Sequence, residues 1–140
     1  LLSRTGPNQN VSRARGTLGY MAPEWVTGLP ITAKVDVYSY GIVLLELVSG
    51  TRILDFVVNL EEDVHVVLKK FIKMLSYRLE GDELLWLTEF VDVRLDGDFN
   101  YLQAKELIRI AVSCLEEDRK NRPTMESIVE SLLSVEEASV

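Results

Sequence analysis

The feature that most constrains this chain is the run between Thr32 and Gly50, where Val35, Val37, Tyr38, Tyr40, Ile42, Val43, Leu44, Leu45, Leu47 and Val48 are all apolar. At 100° per residue these positions cover nearly every side of a helix, and such a helix is stable only when other elements bury it. Thr32 is a suitable N-cap, and Gly50 is suited to end the helix in a left-handed conformation. The pattern therefore predicts a central helix, buried all round, that needs neighbours on several faces. It does not predict a membrane span. The most apolar stretch, Val37 to Leu45, lies between Asp36 and Glu46 and falls far short of the ~20 residues a bilayer requires.

The neighbours are also legible. Val64, Val67, Leu68, Phe71, Ile72, Leu75 and Leu79 recur at helical spacing, with Glu61, Glu62 and Asp63 placed to oppose the helix dipole and Gly81 to end the helix. A shorter helical piece is expected over residues 83–90, followed by a turn at Asp96-Gly97-Asp98. Leu107, Ile110, Ala111, Cys114 and Leu115 form one further stripe. Met125, Ile128, Val129, Leu132 and Leu133 form another, begun by Pro123 and Thr124. Residues 1–30 contain Gly6-Pro7-Asn8, Gly16, Gly19, Pro23, Gly28 and Pro30 and show neither a helical nor a strand period. The predicted architecture is one mainly α domain preceded by a long irregular loop. Trp25, Trp86 and Cys114 are read as packing residues.

Composition removes several classes of function. The 140 residues carry 15 basic and 22 acidic side chains, a net charge of −7. Arg4, Arg13 and Arg15 lie in the first 23 residues, which hold no acid, so everything after them is strongly acidic and a poor general partner for nucleic acid. Cys114 is the sole cysteine and His65 the sole histidine, which excludes a disulfide framework and a Cys/His zinc site. The chain also lacks G-x-G-x-x-G, G-x-x-x-x-G-K-[ST], H-E-x-x-H and G-x-S-x-G. Asp96-Gly97-Asp98-Phe99-Asn100 opens like a calcium loop, but Tyr101 stands where the turn needs Gly and Leu107 where a bidentate Glu is needed. No metal site is expected.

One segment fits a specific pattern. Gly16-Thr17-Leu18-Gly19-Tyr20-Met21-Ala22-Pro23-Glu24 ends in A-P-E, Asp36-Val37-Tyr38-Ser39-Tyr40-Gly41 follows as D-x-x-S-x-G, and Arg119-Lys120-Asn121-Arg122-Pro123-Thr124 follows as R-x-x-R-P-T. With these three motifs in order, essentially the whole chain resembles the C-terminal lobe of plant receptor-like serine/threonine protein kinases, above all the S-domain (lectin-type) group. Val91-Asp92-Val93-Arg94-Leu95 is similar to that group's acidic-Arg-Leu turn, with Val93 where Pro or Ser is usual.

The resemblance implies a division into an activation segment and P+1 loop (residues 1–24) and a helical C-lobe subdomain (residues 25–140). It implies substrate contacts at Thr17, Gly19 and Tyr20, with Thr17 leaning the substrate class to Ser/Thr. Gly16 and Gly19 would let the backbone lie flat beneath a peptide. Ser12 and Thr17 are implied phosphorylation sites, with Ser3 and Thr5 behind them; a phosphate on Ser12 could pair with Arg13 or Arg15. Structural roles fall to Glu24 and Arg122, expected to form a bidentate ion pair, and to Asp36, which would accept backbone N–H bonds from the catalytic loop.

The family's Gly-rich loop, nucleotide-positioning Lys with its partner Glu, catalytic-loop Asp and metal ligands are absent from these 140 residues. The sequence therefore reads as a fragment that holds no catalytic residue and no cofactor, while ATP and magnesium are implied for the parent kinase. The expected partners are protein substrates bearing Ser/Thr, together with the N-lobe and catalytic loop. The parent would work on the cytoplasmic side of the plasma membrane, and this chain holds no membrane segment. The alternative is a truncated, non-catalytic interaction module that competes for the kinase's partners.

Overall fold

The computed structural model describes residues 19–56 and 63–137. Six α-helices run in order: α1 (Glu24–Thr27), α2 (Lys34–Ser49), α3 (Val64–Glu80), α4 (Trp86–Phe90), α5 (Tyr101–Cys114) and α6 (Met125–Glu137). Short 3₁₀ turns occur at Ile53–Phe56, Val93–Leu95 and Arg119–Asn121, and there is no strand among the described residues.

The core forms where α2 meets α5, with α3 and α6 packed on the other sides of α5. Ile42, Leu45, Ile53, Leu68, Leu75, Leu87, Ile108 and Cys114 are wholly enclosed there. Burying a large aliphatic side chain contributes roughly 1.5–3 kcal/mol, so this cluster dominates the favourable side of folding. Gly41 permits the close approach of α2 to α5. A Cβ at that position would lie 2.8 Å from Cys114 Cβ and 2.9 Å from the Ala111 carbonyl oxygen. Helix α2 stops at Gly50, whose φ of +69° disfavours other residues and whose N–H donates to the Glu46 carbonyl.

Caps explain the other helix starts. The Asp63 carboxylate accepts from His65 N–H, the Asn100 side chain from Gln103 N–H, and the Thr124 hydroxyl from Ser127 N–H. At α2 the boundary differs from the expected one. Ala33 occupies the N-cap position, and the Thr32 hydroxyl instead accepts from Lys34 N–H at 3.3 Å. The region expected to be irregular up to Pro30 contains the short helix α1, begun at Pro23, whose fixed φ suits a helix start.

Burial corrects three further expectations. Helix α2 is not covered all round: Leu47 is 71% exposed and Val43 40%, on a side that the described elements leave open. On α6, Ile128 is buried and Leu132 and Val135 pack against the core. Met125, Val129 and Leu133 are exposed, since the helix packs along one edge of its apolar stripe. Trp25 is 46% exposed, whereas Trp86 packs beside Phe90 with ring centroids 6.3 Å apart.

Candidate functional site

The site is built where the loop ahead of α1 runs along α2, from Glu46 near its C-terminal end to Lys34 at its start. Two anchors hold it. At the upstream anchor the Tyr20 hydroxyl sits 2.8 Å from both carboxylate oxygens of Glu46 and donates to them. The same carboxylate accepts from Ile53 N–H at 2.9 Å. The Ser39 hydroxyl donates to the Tyr20 carbonyl at 2.7 Å, fixing the backbone as well as the ring. Burial, with the Glu46 contact second, pushes the Tyr20 phenol above its ordinary range, so it stays a donor.

The downstream anchor is an ion pair across 98 positions of sequence. Arg122 donates from both terminal nitrogens to the two Glu24 oxygens at 2.7 Å each. Both residues are 2% exposed. A buried charge is tolerated only when its remaining groups are also satisfied, and here they are. Arg122 Nε donates to the Glu116 carbonyl at 2.7 Å, and its terminal nitrogens also reach the Lys34 and Glu117 carbonyls at 3.1 Å. Its guanidinium carbon lies 5.1 Å from the centroid of the Tyr38 ring. Lys34 closes the circle by donating from Nζ to the Arg122 carbonyl. The Arg122 hydrogen bonds hold the Glu24 carboxyl below its ordinary range, against the effect of burial.

Between the anchors, Ala22 is fully buried and Met21 and Pro23 are half-buried. Gly19 and Tyr20 open the described part of this loop; Thr17, Ser12, Gly16, Ser3 and Thr5 lie outside the described residues, as do Glu61 and Glu62. Glu24 and Arg122 are brought together. Asp36 is not joined to them: it is exposed, in the first turn of α2, and its carboxylate makes no hydrogen bond with a described residue.

Three participants escaped the sequence reading: Glu46, the Ser39 hydroxyl and the Tyr38 ring. Ser39 and Glu46 are seven residues apart, two helical turns, which places both on one side of α2 facing Tyr20. That spacing was a usable signal. The Tyr38 contact with Arg122 had none, since it depends on how the last quarter of the chain folds back.

Among the described residues there is no group of three or more His, Cys, Asp or Glu side chains able to hold a metal ion. The Arg122 guanidinium is fully engaged within the chain, by Glu24 and by the Lys34, Glu116 and Glu117 carbonyls. No described helix is long and apolar enough to cross a membrane.

Comparison with known proteins is consistent with this geometry. The protein kinase domain model matches residues 2–133. The putative receptor protein kinase ZmPK1 of Zea mays is 58% identical over 98% of this chain and 17% of its own length. The G-type lectin S-receptor-like serine/threonine-protein kinase SD2-2 of Arabidopsis thaliana is 38% identical over 90% of this chain and 16% of its own. A further Arabidopsis thaliana kinase described as G-type lectin S-receptor-like is 41% identical over 98% of this chain and 16% of its own. The chain thus spans about one sixth of the length of these relatives.

Proposed function

Because the chain belongs to the protein kinase domain family, we propose that it provides the substrate-docking loop and helical scaffold of a serine/threonine kinase. Residues 1–24 are the activation segment and P+1 loop, and residues 25–140 the C-lobe helical subdomain. The complete kinase domain transfers the γ-phosphoryl of ATP, with magnesium, to protein Ser/Thr hydroxyls on the cytoplasmic side of the plasma membrane. This chain alone does not, because positioning and charge stabilisation in phosphoryl transfer fall to groups it lacks.

The observation that carries this reading is the two-point anchoring of the loop at Tyr20–Glu46 and Glu24–Arg122. A segment that orients a peptide must resist displacement by it, and anchors of this kind pre-organise the backbone before the substrate arrives. Thr17, Gly19 and Tyr20 are the positions assigned to substrate contact. Ser12 and Thr17 accept regulatory phosphate, Ser12 beside Arg13 and Arg15. The exposed Asp36 carboxylate is available to backbone N–H groups of a catalytic loop. The uncovered side of α2 at Val43 and Leu47 is where another part of the kinase domain packs.

The test measures transfer of labelled phosphate from ATP and magnesium to myelin basic protein. The 140-residue chain is expected to give none, and ATP no shift in its melting. Joined to an upstream segment that carries H-R-D and D-F-G, it is expected to be active, and Thr17→Ala to lower that activity at least tenfold. Transfer by the chain alone, or full activity of the Thr17→Ala protein, overturns the reading. Capture of a kinase partner without nucleotide binding would favour the non-catalytic interaction module instead.

A further inference from the structure

Behind the Glu24–Arg122 pair lies a cavity of about 650 Å³ that neither anchor uses. Its walls are mostly apolar: Pro23 and Val26 beside α1, Tyr38 of α2, Ile72 of α3, Val112 of α5 and Leu115 just after it. That volume lies in the range of sites for small organic molecules, about 300–1,000 Å³.

Two polar groups on the walls lack partners. Tyr38 is 3% exposed, yet its hydroxyl makes no hydrogen bond with a described residue. The second group is His65, whose two ring nitrogens are shielded from solvent and have no partner among the described residues. Burial pushes the Tyr38 phenol up to about 12, so it remains protonated at neutral pH, and burial also lowers the His65 imidazole, which is therefore uncharged there. Each group is thus a neutral donor.

The charges at the mouth select against an ionic occupant. Lys69 and Lys73 stand among Asp63, Glu116 and Glu117, and Lys69 is already paired with Glu117 at 2.8 Å. An anion would meet three carboxylates and a cation two ammonium groups, so neither sign is concentrated. We propose that this cavity binds a neutral, largely apolar small molecule carrying a hydrogen-bond acceptor, which takes the Tyr38 hydroxyl as its donor, with His65 turning to provide a second. The site does not depend on phosphoryl transfer. Its occupant rests on the Tyr38 ring whose other contact is the Arg122 guanidinium, so binding tightens the downstream anchor of the loop.

The probe is 6-propionyl-2-dimethylaminonaphthalene, a neutral fluorophore with one carbonyl acceptor, titrated against the 140-residue chain. Saturable one-to-one binding with blue-shifted emission and a raised melting temperature is expected. Tyr38→Phe keeps the ring and should weaken binding about fivefold to tenfold, the effect of one hydrogen bond. Val66→Trp alters an exposed residue at the mouth and should abolish binding while circular dichroism is unchanged. Non-saturable uptake, undiminished binding by Val66→Trp, or tighter binding of the anionic 1-anilinonaphthalene-8-sulfonate overturns the site. Equal binding by Tyr38→Phe overturns the role of the hydroxyl.

Discussion

Replacing Arg122 by Met, in a cycle with Glu24→Gln, tests the downstream anchor most directly. Arg122→Met leaves the 2%-exposed Glu24 carboxylate without its cation and strips the Glu116, Glu117 and Lys34 carbonyls of a shared donor. Breaking a buried pair from one side costs about 3–5 kcal/mol, and the three carbonyls place this substitution at the upper end. Glu24→Gln preserves shape and the carbonyl contacts, so it belongs at the lower end. The double variant should fall short of the sum of the two by at least about 1.5 kcal/mol, since the second substitution removes a charge already unpaired.

Urea unfolding followed by circular dichroism measures all four corners of this cycle. Acid adds an independent reading. The folded-state pKa of Glu24 is depressed chiefly by the Arg122 hydrogen bonds, so its contribution is full above the unfolded value near 4.5 and lost as pH falls through the folded value. In Arg122→Met, burial becomes the leading influence, ahead of the remaining backbone hydrogen bond and Arg119, and raises that pKa. The variant should therefore recover stability relative to the parent chain as pH falls from 6 towards 4. A coupling energy below about 0.5 kcal/mol, or parallel acid profiles, would refute the reasoning.

Other outcomes can be checked in the same way. Tyr20→Phe, which deletes the donor to Glu46, should lower stability by about 0.5–1.5 kcal/mol in chemical unfolding and speed proteolysis between Gly19 and Glu24. Gly41→Ala places a methyl group against Cys114 and the Ala111 carbonyl and should cost about 1–3 kcal/mol, read as a lower urea midpoint at unchanged slope. The Cys114 thiol, fully buried and pushed up to about 11 by that burial, should resist alkylation at pH 8 in the native chain and react only on unfolding. Leu47→Gln should leave the urea midpoint nearly unchanged and reduce self-association on a sizing column, because Leu47 makes little use of its apolar surface here.

The helices were legible because hydrophobic spacing and helix ends are local. The repeat from Val64 to Leu79 and the stops at Gly50 and Gly81 follow from residues within a turn or two of each other. Which part of an apolar stripe is used was not legible. Met125 and Ile128 look alike in sequence, and only the angle at which α6 meets α5 buries one and exposes the other. For the same reason Leu47 and Trp25 were expected inside. At the site, Glu24 and Arg122 were paired through motif resemblance, because nothing local connects residues 98 positions apart. Glu46 and Ser39 stood on the correct side of α2, but no local pattern marks Tyr20 as their target.

The position of Arg122 also sets an order of events on the ribosome. The carboxylate that fixes the start of α1 is made first, and its guanidinium partner emerges only after nearly a hundred further residues have been translated. At about 5–20 residues per second, the docking loop therefore waits several seconds before its second tether exists. A nascent chain halted before residue 122 would display that loop unfastened, and proteases or chaperones would meet it in a form the finished molecule never shows.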